Sequence, residues 1–328
     1  MSRLARLLDA NLLILLVVVY VLAAFLPALG TLIRTQVVFD RPFPVLLLSV
    51  MLFLAGIGIE PREVHKATKS WFHVLAGCVL MVVAPGLIVL LLGGLPISYP
   101  VGMLAGLGLV ALMPTAASSV AWTQLSRGNV TINIAMLLMS TLLTPFVLGM
   151  FWQHDTTGLA ESKIPVVILG MWIVPALLLG VLVRYFLGTA RVQGLRPMLK
   201  SGNASILLLL NYANASAALP EIVRDFRPLQ VMAIVATTLA MCAVVFTLGS
   251  VATRLVEKDR AKSRSLVYGM GLKNTGMALV VAGLWAETLP LAMVAIIVYT
   301  FSQHLLAAMY HQWNLRIDSA EETADGAN

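Results

Sequence analysis

The chain has 328 residues, 59% of them hydrophobic and only 11% charged, with a formal net charge of +7. A soluble domain carries about 25% charged residues to keep its surface wet, so this composition excludes a water-soluble globule. The apolar residues come in long blocks, such as Leu12 to Leu29 and Val74 to Leu92, which also excludes the short alternating segments of a transmembrane β-barrel. A bilayer core takes about 20 apolar residues per helix, so the blocks are spans and the chain is an all-α integral membrane protein.

The stretch that follows Arg3 and Arg6 has no small-residue cleavage site and reads as a span rather than a signal peptide. The pattern predicts ten spans, at 11–29, 44–59, 70–93, 100–125 (interrupted), 130–152, 164–187, 199–219, 228–253, 264–286 (interrupted) and 289–312. Short connections with Pro or Gly join them, as at Arg41-Pro42 and Gly93-Gly94. Cys78 and Cys242 fall inside apolar blocks and read as small packing residues. Asp318 to Asn328 form a polar, acidic tail that is expected to fray.

With the N-terminus inside, 16 lysines and arginines fall on the inner side. Five fall outside (Arg34, Arg41, Lys163, Arg224 and Arg227), and Lys273 alone remains within a span. This asymmetry predicts a plasma (inner) membrane protein with both termini cytoplasmic. It also makes the basic excess topological, so no nucleic-acid partner is expected. Ten spans divide into two five-helix repeats, 1–153 and 154–317, followed by the 318–328 tail. An odd number per half inverts the second repeat, a design of many secondary transporters. The fourth and ninth spans correspond, and both carry small or polar interruptions, over Met113 to Ser119 and over Gly269 to Gly276. They are expected to be broken helices crossing mid-membrane.

Lys273 is the sharpest signal. A lysine at the bilayer centre costs about 2.5–3.5 kcal/mol on insertion scales, so it should face a cavity or a partner. Two roles are open to it: bonding carbonyls freed by the helix break, or acting as a cation that attracts an anionic substrate or exchanges a proton. Thr115, Ser118, Ser119, Asn274 and Thr275 lie in the two interruptions and could bind substrate alongside exposed backbone groups, or bond back to their own helix. Asn211 and Asn214, beside Tyr212 on the seventh span, could line the same cavity or join helices. His73, His304 and His311 lie towards span ends. Gly102 and Gly106, four apart, read as a close helix crossing. No HExxH, no GxSxG and no paired carboxylates occur within the spans, so no enzyme, catalytic residue, metal centre or organic cofactor is expected.

The run Met113-Pro114-Thr115-Ala116-Ala117-Ser118-Ser119-Val120, then Arg127-Gly128-Asn129-Val130 and Ser140-Thr141-Leu142-Leu143, resembles the bile acid:sodium symporter family. So does Gly269 to Gly276. The resemblance covers nearly the whole chain in span layout, with its specific motifs confined to the two interrupted spans. It implies a panel domain and a core domain, with two unwound helices crossing in the core and holding two sodium ions beside a substrate cavity. Carried over by position, Ser118 falls on a sodium-coordinating serine, Ser119 replaces an asparagine and Asn133 replaces a serine. Leu137 replaces a threonine and Leu80 a glutamine, so neither can bind an ion. Gly269 stands where the family has a glutamate shared by both sodium sites, and Lys273 where it has a glutamine.

Losing the carboxylate and gaining a fixed cation argues against sodium at this place. The expectation is that Lys273 stands in for the ion, giving a carrier of a small organic anion that is sodium-independent or coupled to protons. Membrane lipid is the other expected partner, and the protein is possible as a monomer. The arsenite-efflux branch of the family shares Met113-Pro114 and Trp122, but its cysteine falls at Thr115 and its ninth-span glutamate is absent. A non-transporting receptor or regulator on the same fold is a third alternative.

Overall fold

The computed structural model describes residues 12–97, 99, 101–152, 163–283 and 289–325. Arg3, Arg6 and the 153–154 boundary between the expected repeats lie outside these residues. Helix α1 (Leu12–Phe25) is followed by α2 (Pro27–Thr35) at an angle of 91°, the bend falling at Leu26 before Pro27. A two-residue hairpin, β1 (Val37–Val38) with β2 (Arg41–Pro42), turns through Phe39 and Asp40, both at positive φ. Then come α3 (Phe43–Gly58), α4 (Pro61–Ala67) and α5 (Trp71–Gly94). The fourth predicted span is two helices, α6 (Val101–Leu112) and α7 (Ser118–Leu125). After α8 (Val130–Trp152), α9 (Lys163–Ala215) holds two helical stretches, 163–187 and 189–215, divided at Gly188 with φ +73°. Short α10 (Leu219–Arg224) and long α11 (Pro228–Val256) precede another broken pair, α12 (Arg260–Gly271) and α13 (Thr275–Ala282). Helix α14 (Pro290–Asp325) ends the described chain.

By length and composition five helices can each cross a membrane, or six with the bent α1–α2 pair taken as one span. The protein is therefore multi-pass. Single helices such as α6 and α13, of 12 and 8 residues, are too short to cross alone. The two stretches of α9 fold back on each other. A Cβ on Gly180 would lie 2.2 Å from Phe53 O, and one on Gly202 3.4 Å from Leu54 Cδ1, so residues 22 apart flank the same turn of α3.

Packing gathers α1, α2, α3 and α9 around one another, while α5, α6, α7, α8, α11, α12, α13 and α14 form a second group containing both broken helices. The two groups meet where α9 packs against α8 and α13, and α3 against α13. Within the second group α6 and α14 approach at backbone distance. A Cβ on Gly106 would come within 2.3 Å of Ala292 O, and one on Gly102 within 3.3 Å of Leu291 Cβ, as the glycine spacing predicted. The expected fraying of the tail is corrected at its start: α14 stays helical to Asp325, and Asp318 forms an ion pair with the buried Arg264.

Candidate functional site: two broken helices held by a lysine

Each break follows from local chemistry. Pro114 lacks an N–H and disfavours helical geometry at Met113, so α6 stops at Leu112. In the second break Gly271 sits under the Phe246 ring, where a Cβ would lie 2.4 Å from Cε2, and the Asn274 side chain caps α13 by accepting from Met277 N–H at 3.0 Å. The two breaks then satisfy each other. Asn274 N–H donates to Pro114 O and Ala116 N–H to Leu272 O, both at 2.8 Å, and Thr115 pairs with Lys273 as an antiparallel bridge.

The remaining backbone groups are rerouted through side chains. Lys273 N–H, which in an intact helix would bond Gly269 O, donates instead to Gln303 Oε1 at 2.7 Å. Gly269 O accepts from Thr115 Oγ1 at 2.8 Å, and Thr115 N–H donates to Ser140 Oγ at 3.1 Å. Three carbonyls then converge on the Lys273 ammonium: Met81 O, Ala111 O at 3.2 Å and Met113 O at 3.3 Å. Each has a reason to be free. Pro85 has no N–H to give the carbonyl four residues earlier, at Met81. Ala111 lies in the last turn of α6, whose carbonyls lack intrahelical partners, and Met113 lies just beyond it. An ammonium carries three N–H donors, one for each carbonyl. Lys273 is fully buried, and among the described residues no Asp or Glu is buried.

The other predicted positions are placed as follows. Ser119 Oγ lies 2.6 Å from both Ala116 O and Asn133 Oδ1, and Asn133 Nδ2 donates to Ser265 O at 3.0 Å. Ser118 is half-buried and follows the exposed Ala117 at the start of α7, whereas Thr115 and Thr275 are buried. Leu137 is buried, and its carbonyl accepts from Thr141 Oγ1. At Gly269 the space of a side chain is taken by Met136, whose Sδ would be 2.7 Å from a Cβ there and 2.9 Å from one on Gly77. Leu80 lines a cavity of about 80 Å³ with Phe72, His73, Thr253 and Met270. Asn211 Oδ1 accepts from Tyr20 OH at 2.6 Å and its Nδ2 donates to Leu207 O at 2.7 Å. Asn214 lies at the far end of α13, beside Gly283.

Sequence reasoning missed the arginines. Arg34 and Arg264 count as loop charges by position, yet each ends a half-helix. Arg264 Nη1 donates to Ser126 O at 3.0 Å, after α7, and Arg34 Nη2 donates to Gly283 O, after α13. Both complement the negative end of a helix. A signal for the carbonyl cluster was present in Pro85, and one for the partner of the Lys273 N–H in Gln303, an amide within α14.

A family model described as SBF-like CPA transporter family matches residues 10–312. The chain is 30% identical over 265 residues to "Uncharacterized protein PA2026" of Pseudomonas aeruginosa, covering 79% of this chain and 76% of that one. It is 22% identical over 334 residues to "Putative symporter YfeH" of Escherichia coli, covering 98% of both. A match across nearly the whole chain, broken helices included, settles the family: the protein belongs to the SBF-like CPA transporters.

Proposed function

We propose that the protein is a secondary transporter of a small organic anion, working by alternating access through ten spans in two inverted five-helix repeats, with Lys273 in place of a coupling sodium ion. The observation that carries this reading is the Lys273 ammonium seated on Met81 O, Ala111 O and Met113 O where the two breaks meet. Carbonyl oxygens at the ends of broken helices are the usual ligands of coupling cations in transporters. Here they hold a cation fixed to the chain.

Sodium does not suit this donor set. The ammonium already occupies the carbonyls, no described carboxylate is buried with them, and Met136 fills the space beside Gly269. A charge buried without compensation is costly, so a sodium ion next to Lys273 is disfavoured. A proton can do the work instead: an ammonium that loses its proton gives up one donor and its charge, which loosens the link between the breaks. The printed name of the Escherichia coli relative, a symporter, supports coupled transport without naming the ion. The membrane is proposed to be the plasma membrane, with both termini cytoplasmic.

The test is saturable, counterflow-competent flux of labelled carboxylates in proteoliposomes, compared between the wild type and Lys273→Gln. The reading expects flux in the wild type and a reduced, pH-insensitive flux in the variant. Undiminished transport by Lys273→Gln at every pH contradicts it, and an absence of any wild-type flux favours a receptor.

A further inference from the structure

The cavity of about 80 Å³ that Leu80 lines is a slot with three walls. Phe72, Ala76 and Leu80 recur every four residues along one stripe of α5, Ala252 and Thr253 come from the end of α11, and Leu266 and Met270 from one face of α12. Phe72 and Leu80 are exposed, whereas Thr253, Leu266 and Met270 are buried, so the slot opens outward past α5 and closes inward on α12. In a multi-pass protein that outward side is lipid. The polar groups of the slot gather at one end. His73 Nε2 pairs with Glu257 Oε2 at 2.6 Å, next to the first turn of α5 and just past the end of α11, and Lys262 offsets the Glu257 charge from 3.3 Å. One turn back along α11, Thr253 Oγ1 is already bonded to Gly249 O and to Ser263 Oγ, both at 2.7 Å. The other walls are apolar. Leu80 lies about 12 Å along α5 from Phe72. An apolar slot of this kind offers water and polar solutes no partners, and it suits hydrocarbon.

The polar end also carries the marks of a membrane surface. Trp71 and Phe72 are exposed aromatics at the start of α5, Lys69 precedes them, and Lys258 follows Glu257; both lysines are exposed. Aromatic rings and basic residues at helix ends are the usual anchors at headgroup level, and basic residues there attract anionic lipid. From this layout we infer that the slot holds an acyl chain of an anionic phospholipid, with the headgroup phosphate at Lys69 and Lys258. Met270, on the inner wall, is three residues before Lys273. An occupying chain therefore braces α12, the half-helix that leads into the second break. The inference requires only that the protein spans a membrane, and it is independent of which solute is carried.

The experiment titrates the full, detergent-purified chain with phosphatidylglycerol or with phosphatidylcholine of the same acyl chains. Native mass spectrometry reads the lipid retained, and intrinsic fluorescence reads the unfolding midpoint. The wild type is expected to retain a single phosphatidylglycerol in preference to phosphatidylcholine, with a raised midpoint. Ala252→Phe fills the slot and should lose both the retained lipid and the rise. Lys69→Gln and Lys258→Gln change only exposed side chains and so keep the fold. Each should weaken phosphatidylglycerol binding about fivefold, the worth of one basic residue near an anionic surface, with phosphatidylcholine unaffected. Equal retention of the two lipids by the wild type overturns the inference. So does wild-type affinity for phosphatidylglycerol in both lysine variants, or undiminished retention by a folded Ala252→Phe.

Discussion

Replacing Lys273 by methionine should destabilise the protein far more than replacing it by glutamine. Both variants remove the charge, so the cost of placing an ammonium at depth cancels between them. What differs is the number of carbonyls left without a donor. Methionine leaves Met81 O, Ala111 O and Met113 O all bare. A glutamine amide can serve up to two of them. A buried acceptor stripped of its partner costs about 1–3 kcal/mol, so two acceptors separate the variants by about 2–6 kcal/mol. Thermal unfolding of the detergent-purified protein, followed by intrinsic fluorescence, would show this as a clear gap in midpoint. Equal midpoints would refute the claim that the ammonium holds the breaks through these carbonyls.

Pro85→Ala gives Met81 O an intrahelical donor, so in the Lys273→Met background it should recover about 1–3 kcal/mol, with little gain in the wild type. A double-mutant cycle on unfolding midpoints measures that coupling. Gly271→Ala forces a methyl into the Phe246 ring and should cost about 1–3 kcal/mol, whereas Gly269→Ala meets the flexible Met136 and should be rescued by Met136→Ala; both are read by the same unfolding measurement. Beyond α11, Glu257 accepts from Asp259 N–H at 2.8 Å and pairs with Lys262 and His73, and these bonds, the backbone one first, hold its carboxyl below the usual carboxylate range. A depressed carboxyl stabilises the fold above its unfolded pKa, about 4.3, and loses that contribution as pH falls further. Acidification from pH 5.5 to 3.5 should therefore lower the unfolding midpoint of the wild type more than that of Glu257→Gln.

The broken helices were legible because the backbone rules are local. Pro114 cannot continue a helix, and a run of Gly, Lys and Asn inside an apolar stretch has no other use in a bilayer. That Lys273 needed a partner was legible too, from the cost of its burial. Its partner was not, because Met81 is brought to it by the packing of α5 against the breaks, 192 residues away in sequence. Arg34 and Arg264 were misplaced for a related reason. Counting positive charge by loop treats every basic residue near a span end as solvated, whereas both reach inward to helix ends. Met136 gave no signal at all, since an apolar residue filling the space of an absent side chain looks like any other packing residue. The helical continuation of α14 past Asp318 depends likewise on the distant Arg264.

The central claim is that a cation fixed to the chain has replaced the coupling sodium. It is tested most directly by uptake of labelled carboxylates into proteoliposomes, with and without a sodium gradient and with and without a pH gradient. The account predicts uptake that is indifferent to sodium and responds to pH. Strict sodium dependence would contradict it, because an ion site would then have to exist beside an ammonium that already holds the carbonyls.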